Sequence, residues 1–263
     1  MNLPRRSVLH GSSLTALVFT LVLVASAPLK LMAATITWGS PQTVSGDSDV
    51  DTTGTLVYAF TFGGTSAPPS ATVNGVTFSP FRIPGGIVTS TTVGNVTLTE
   101  SPGILFGLNT FGSVSAPFSG LSSDYQAILG SGAYADIPTT ITVSLNGLTS
   151  GQQYRLQWWT NNSSNVTPVF GGSFTNTMAT AANSVTLDAN TTNLVGGLGQ
   201  FAIGTFTASG TTQTFALTEP SGANPLINAL QVRAVPEPAT TALAAAAAAA
   251  GWIVWRRRGR RAG

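Results

Sequence analysis

Apolar and polar residues alternate along most of the chain between residues 35 and 234. In the run TLVYAFTF at 55–62, Leu56, Tyr58, Phe60 and Phe62 fall on one face of an extended strand. Similar runs lie at 72–78, 95–100, 139–148, 153–160, 183–189, 200–208, 213–218 and 226–233. Gly and Pro separate these runs, and Asn-Gly within 72–78 is typical of a tight hairpin. The pattern predicts roughly nine to eleven strands.

Helical periodicity is confined to one short run. LSSDYQAIL at 121–129 predicts a short helix that Ser122 or Ser123 would cap. Because no long helices alternate with the strands, a parallel α/β sheet is excluded. The sequence therefore predicts an all-β fold, a two-sheet β-sandwich of jelly-roll type that forms one domain over 35–234.

The N-terminal 34 residues predict an export signal. Arg5 and Arg6 precede a run without charge, Leu14–Ala27, and small residues lie at 25–27 and at 33–34. We predict a signal helix in a signal peptide over 1–34, cleaved near Ala34 and exported by the Sec machinery. RRSVLH at 5–10 is also similar to a twin-arginine signal, so the Tat route is one alternative. An uncleaved anchor helix is another.

The C-terminal segment predicts a membrane anchor. The run Ala239–Trp255 carries no charge over its 17 residues, a length of roughly 25 Å if it is helical. Trp252 and Trp255 would lie at the membrane interface, and the arginines of the basic tail 256–263 would stay in the cytoplasm. The sandwich would then lie outside the inner membrane.

The junction between domain and anchor resembles a known signal. Val235-Pro236-Glu237-Pro238, an apolar segment and a terminal arginine cluster, in that order, resemble the PEP-CTERM sorting signal over 235–263. The resemblance implies an exported bacterial protein, with Pro236, Glu237 and Pro238 recognised by an exosortase. It also implies transient anchoring in the inner membrane and a final place on the cell surface or in the extracellular matrix. The two prolines fix φ and keep the motif extended.

Charge and composition exclude several functions. Residues 35–234 contain three basic and eight acidic residues, which excludes a nucleic-acid partner. The chain has no cysteine, so disulfides, thiolate metal sites and a cysteine nucleophile are excluded. The only histidine is His10, which excludes a Ser-His-Asp triad in the domain.

A second resemblance concerns the domain. The segments 145–161 and 200–235 are similar to the late strands of galactose-binding-like jelly rolls, many of which bind carbohydrate. On strand 153–159, Tyr154, Leu156 and Trp158 would face the core, whereas Arg155, Gln157 and Trp159 would share the other face. An exposed indole, guanidinium and amide together would suit a sugar. The alternative is that Trp159 is covered beneath a loop.

Two further kinds of site are open at this stage. Asp47, Asp49 and Asp51 alternate in GDSDVDTTG at 46–54, a pattern that predicts a structural Ca²⁺ site or a solvated acidic turn. We predict no other cofactor. A secreted glycosidase would need two carboxylates in one cleft, but the candidate acids are scattered beside turns: Glu100, Asp124, Asp136, Asp188 and Glu219. We therefore predict a non-catalytic surface or matrix protein, with a carbohydrate-binding module that acts on extracellular polysaccharide, or a glycosidase, as alternatives.

Overall fold

The computed structural model describes residues 35–66, 70–100, 102–136, 139–164, 175–220 and 223–236. The predicted signal peptide, the transmembrane helix 239–255 and the basic tail lie outside these residues, as do Glu237 and Pro238. No helix within the described ranges is long and apolar enough to cross a bilayer.

The described residues form seventeen strands, one α-helix and two 3₁₀ turns, at Asp47–Asp49 and Phe118–Gly120. The α-helix, α1, spans Ser123–Leu129. The strands are β1 (Ile36–Trp38), β2 (Gln42–Thr43), β3 (Thr55–Gly63), β4 (Ala71–Val73), β5 (Val76–Arg82), β6 (Ser90–Val93), β7 (Val96–Glu100), β8 (Leu105–Leu108), β9 (Gly132–Ala135), β10 (Thr140–Asn146), β11 (Gln153–Thr160), β12 (Thr175–Ala179), β13 (Ser184–Asp188), β14 (Gln200–Thr207), β15 (Thr212–Thr218), β16 (Leu226–Ile227) and β17 (Ala229–Ala234).

Three sheets contain these strands. The first sheet has the order β1-β14-β11-β17-β3-β5-β4, with β2 beside β14. The second has the order β13-β12-β15-β10-β7-β6, and the third has the order β16-β9-β8. Strands β3 and β5 pair in parallel, whereas the other pairs are antiparallel. The all-β prediction is confirmed, and the finer jelly-roll assignment stays a prediction.

The inner core lies between the first and second sheets. Strand β11 points Tyr154, Leu156 and Trp158 into it, as the alternation predicts. Phe206 of the first sheet meets Phe215 of the second with ring centroids 5.9 Å apart. Burying each such side chain contributes about 1.5–3 kcal/mol, so this layer is the main source of stability.

A second apolar layer, the outer core, covers the opposite face of the first sheet. Trp159, Phe201 and Ala229 pack there against residues of α1, β4 and β5. Helix α1 begins as predicted, because the Ser122 hydroxyl accepts a hydrogen bond of 3.2 Å from the Tyr125 N–H. Its residues Tyr125, Ile128 and Leu129 are buried. The first sheet is thus covered on both faces.

The predicted Asn-Gly hairpin joins β4 to β5. Asn74 and Gly75 have φ values of 49° and 74°, as a type I′ turn requires. The turn also fixes the acidic segment, because the Asn74 side-chain amide donates to the Val50 carbonyl at 2.8 Å. Val50 is buried in the outer core.

Candidate functional site

The two sites predicted from the sequence meet each other in the structure. The acidic loop, residues 45–54, lies over the outer face of β11 and β17. Arg155 Nε donates to Asp51 Oδ2 at 2.6 Å, and Gln157 Nε2 donates to the Asp49 carbonyl at 2.7 Å. Gln231 Nε2 donates to the Asp51 carbonyl at 2.9 Å. The polar face of the strands therefore binds the chain's own loop.

Gln157 is committed to this contact. Its side chain is buried, and its Oε1 accepts from the Asp51 N–H at 2.9 Å and from Gln231 Nε2 at 2.7 Å. Oxygen and nitrogen of the Gln157 amide are both hydrogen-bonded within the protein. A buried amide in that state leaves nothing for a sugar hydroxyl to bind without breaking a native contact.

Trp159 lies in the outer core with no exposed surface. Its Nε1 donates to the Tyr125 hydroxyl at 3.0 Å, and its ring meets Phe78 edge-on at 5.7 Å between centroids. The prediction that Arg155, Gln157 and Trp159 form an exposed face is wrong. The alternation places them on one face correctly, but α1, β5 and the acidic loop cover that face.

Arg155 and Asp51 form an ion pair at the edge of this layer. The Arg155 side chain is 28% exposed and the Asp51 side chain 9%. Burial alone would raise the pKa of Asp51, but hydrogen bonds from Arg155 and Thr53 and the charge of Arg155 lower it below its usual value. The carboxylate stays ionised because its partner is the guanidinium.

Asp47 and Asp49 have separate partners. Asp49 accepts from the Ser45 N–H at 2.6 Å and from the Gly46 N–H at 3.0 Å, which closes the turn at 47–49. Asp47 Oδ1 accepts from the Ser122 hydroxyl at 2.6 Å. Asp47, Asp49 and Asp51 therefore each bind a different partner within the chain. Within the described residues, no group of three acidic or histidine side chains is placed to hold a metal ion.

Tyr125 links the acidic loop to the core. Its hydroxyl accepts from Trp159 Nε1 and donates to Asp49 Oδ2 at 3.3 Å. Burial and the negative charge of Asp49 raise the pKa of Tyr125 well above its usual value, and the hydrogen bond from Trp159 offsets only part of this. Tyr125 is therefore a neutral donor that fixes the loop against α1.

Arg233 is a residue of this assembly that the sequence analysis missed. It lies on β17 and is 8% exposed. Its guanidinium donates to the carbonyls of Thr53 at 3.1 Å, Thr52 at 3.1 Å and Gly54 at 2.8 Å. The sequence does contain an indication of its position, because Gln231 and Arg233 alternate with the apolar Leu230 and Val232. This alternation predicts that both polar side chains lie on the outer face of the strand. It does not predict that the acidic loop covers that face.

The asparagines after β11 are also structural. Asn161 and Asn162 are buried. Asn161 Nδ2 donates to the Phe111 carbonyl at 3.2 Å, and its Oδ1 accepts from the Gly199 N–H at 2.9 Å. Asn228 Nδ2 donates to the carbonyls of Leu129 at 2.8 Å and Ser131 at 2.7 Å. These amides satisfy the backbone of the buried loops around them.

The scattered acids have local roles. Asp188 accepts from the Asn190 N–H at 2.9 Å, Asp124 from the Thr72 N–H at 3.0 Å and Glu219 from the Ala223 N–H at 2.6 Å. Glu100 is 1% exposed, and no described residue donates a hydrogen bond to its carboxylate. Asp136 follows β9, and its N–H donates to the Ile104 carbonyl at 3.3 Å.

A shallow open depression lies near the C-terminal end of β11. Its volume is about 460 Å³, and its lining includes Asn109, Ser113, Phe118, Gln126 and Ser131. None of the described residues that line it is acidic. A depression without carboxylates does not supply the acid pair that glycoside hydrolysis uses.

The C-terminal strand leads directly into the predicted sorting motif. Strand β17 lies inside the first sheet, between β11 and β3. Val235 continues it, because its N–H donates to the Gln153 carbonyl at 2.9 Å and its carbonyl accepts from Gln152 Nε2 at 2.6 Å. Pro236 is exposed. The motif therefore begins one residue after an ordered strand contact.

Comparison with protein families identifies this C-terminal segment. Residues 234–258 match the PEP-CTERM protein-sorting motif. The chain carries this motif, as its Pro-Glu-Pro sequence predicts. The motif implies that the protein is exported, that its C-terminal segment anchors it in a membrane for sorting, and that an exosortase is its processing partner.

Two solved structures are distantly similar to the chain. No curated protein matches the chain. A solved structure of the enzymatically active domain of tailspike protein 4 from bacteriophage CBA120 is similar, with 10% identity, a TM-score of 0.30 and coverage of 69% of this chain. This chain spans 32% of that structure. A carbohydrate-binding module of the β-sandwich superfamily matches with 14% identity, a TM-score of 0.17 and coverage of 73% of this chain and 97% of the module.

Proposed function

We propose that this protein is a non-catalytic component of the bacterial cell surface or extracellular matrix. The Sec machinery, or alternatively Tat, exports it through the signal peptide at 1–34. The apolar segment 239–255 then holds it in the inner membrane until an exosortase recognises Pro236, Glu237 and Pro238. Processing releases the β-sandwich, which we take to be of jelly-roll type, to the surface or matrix.

The observation that carries this proposal is the junction at Val235. The sorting motif directly follows β17, a strand inside the first sheet. Val235, at the end of this strand, is hydrogen-bonded to Gln152 and Gln153, and Arg233 of the strand is hydrogen-bonded to the Thr52 carbonyl. Domain and motif thus form one continuous unit. A domain ordered up to its last residue is a suitable product, because removal of the tail takes away no described strand.

The polar chemistry of the domain supports a structural role over a binding or catalytic one. The face that would have held a glycan is covered by the acidic loop, and the carboxylates of that loop are bound to Ser45, Ser122 and Arg155. We therefore propose no catalytic site and no Ca²⁺ site. Any contact with extracellular polysaccharide would use surfaces other than Gln157 and Trp159.

Substitution within the motif tests the proposal in the producing bacterium. Glu237→Gln removes the one charge between the prolines, and we expect the uncut precursor to accumulate in the membrane fraction. Thr240→Ala is the matched control, since it changes the same segment outside the Pro-Glu-Pro triplet and should be processed like wild type. The measurement is an immunoblot with tags on both sides of residue 237. Equal processing of both variants would overturn the sorting role of the motif.

A further inference from the structure

Both ends of the described domain lie at the same end of the first sheet. Ile36 pairs with Phe206, Phe206 with Tyr154, and Tyr154 with Ala234. These residues form one row across four neighbouring strands, β1, β14, β11 and β17. At about 4.8 Å per strand the two ends are roughly 14 Å apart. We call this region the tether end, formed by residues 35–36, 53–55, 147–153, 207–211 and 234–236.

Little chain separates the tether end from the predicted anchor. Val235 is still hydrogen-bonded to Gln152 and Gln153, and the apolar run begins at Ala239. Four residue steps span at most about 14 Å when fully extended. While Ala239–Trp255 is in the membrane, the tether end must therefore lie within that distance of the bilayer boundary.

The turns of this surface carry no charged side chain. Arg233 lies beside it, bound to the carbonyls of Thr53 and Gly54, and Asp51 there is paired with Arg155. The turns have the sequences GLTSGQ at 147–152 and ASGT at 208–211, and the nearby β12–β13 turn is TAAN at 180–183. Asn183 joins that turn to the tether end, because its side-chain amide donates to the Ile36 carbonyl at 2.8 Å. In contrast, the acidic residues of the second sheet lie at its opposite end. Glu100 and Asp188 are the last residues of β7 and β13, and Glu219 follows the last residue of β15.

Charge placement favours one orientation at a membrane. Bacterial membranes carry anionic lipid, and carboxylates held against such a surface are repelled, whereas small hydroxyl and amide groups are not. Acidic turns at the tether end would oppose the approach that the short connection demands. The neutral turns found there do not.

We propose that the tether end is a membrane-facing surface that rests on phospholipid headgroups while the sorting motif is uncut. The proposal rests on the proposed function, because it needs the tail to be anchored. The partner that the tether end contacts is the lipid surface itself. The arrangement holds the motif 236–238 close to the bilayer boundary and turns the depression at Asn109 and Gln126 away from the membrane.

Single cysteines test the orientation directly, because the chain has none of its own. Ser209→Cys places a thiol on the exposed β14–β15 turn at the tether end. Val114→Cys is the matched control, because it lies in the loop near the far end of β11 and is 97% exposed. Each full-length variant is labelled with an environment-sensitive fluorophore. It is then reconstituted into vesicles of phosphatidylethanolamine and phosphatidylglycerol that contain a headgroup nitroxide quencher.

We expect quenching at position 209 to be at least several-fold stronger than at position 114. Equal quenching at the two positions, or stronger quenching at 114, would overturn the proposal. Insertion of a flexible Gly-Ser segment of about 20 residues between Pro238 and Ala239 should remove the difference, because it lengthens the connection several times over. If the difference persists unchanged in the inserted form, the short connection does not set the orientation.

Flotation of the same vesicles tests anchoring by the tail separately from the orientation of the domain. Full-length protein that fails to float with the vesicles shows that the tail does not anchor, and the proposed function fails with it. Protein that floats but shows equal quenching leaves the anchoring intact and overturns only the orientation. Strong quenching at position 209 that appears only when exosortase is added would assign the surface to the enzyme instead of the lipid.

Discussion

At the scale of single residues, the outer face of β11 shows how a polar pattern serves packing. Arg155 and Gln157 bind the acidic loop, and Trp159 is buried beneath α1. Strand alternation gives the face of each residue, because side chains point to opposite sides in turn. It does not give exposure, which depends on a loop about 100 residues earlier in the chain. The sequence therefore predicts which residues share the outer face of β11, but not that the acidic loop and α1 cover that face.

The Asp51–Arg155 pair makes stability depend on pH. The folded-state pKa of Asp51 is lowered, so its contribution is present above the usual unfolded value of about 3.9 and is lost as pH falls through the folded value. We expect Asp51→Asn to reduce the free energy of unfolding by about 1 kcal/mol at pH 7, a modest figure because the partner Arg155 is partly exposed to solvent and the pair is screened. The difference from wild type should shrink as the pH falls below about 3.9 and on through the folded value. Urea unfolding over a series of pH values from 7 downwards is the measurement.

A double-mutant cycle with Arg155→Gln provides the control for this pair. The two substitutions should be non-additive at pH 7 and should approach additivity as the pH falls through the folded pKa of Asp51, because the ion pair exists only while Asp51 is ionised. Additive losses at pH 7 would show that the contact does not stabilise the fold.

At the scale of elements, the sequence predicted the longer strands and the start of α1 but underestimated the number of strands. It indicated roughly nine to eleven, whereas the described residues contain seventeen. The additional strands, such as β2, β6, β8 and β16, have two to five residues. Runs of that length carry too little alternation to be recognised in the sequence.

A hydrogen bond joins two elements of the outer core, from Trp159 on β11 to Tyr125 on α1. Trp159→Phe deletes this bond and leaves a small cavity, so we expect the free energy of unfolding to fall by about 1–3 kcal/mol. Trp158→Phe is the matched control, because Trp158 is equally buried but its Nε1 has no hydrogen-bond partner among the described residues. Urea unfolding of both variants should show the larger loss for Trp159→Phe. A larger loss for Trp158→Phe would contradict this account of α1 docking.

At the scale of the whole molecule, the sorting motif could be predicted from sequence because its recognition depends on local order in the chain. Pro236, Glu237 and Pro238 stand between the domain and an apolar run, and no tertiary contact is needed to see them. The place of that junction in the fold could not be predicted. Strand β17 lies between β11 and β3, and this position follows from long-range pairing. The short connection at Val235 is a property of the fold.

The intact mass of the exported protein tests the central claim most directly. The protein is purified from the producing bacterium and from the same strain without its exosortase. We expect a product cut at the Pro-Glu-Pro region in the first strain, and a membrane-bound form that keeps the segment 239–263 in the second. The same truncated mass in both strains would contradict the account, because the tail would then be removed without the enzyme that the motif implies.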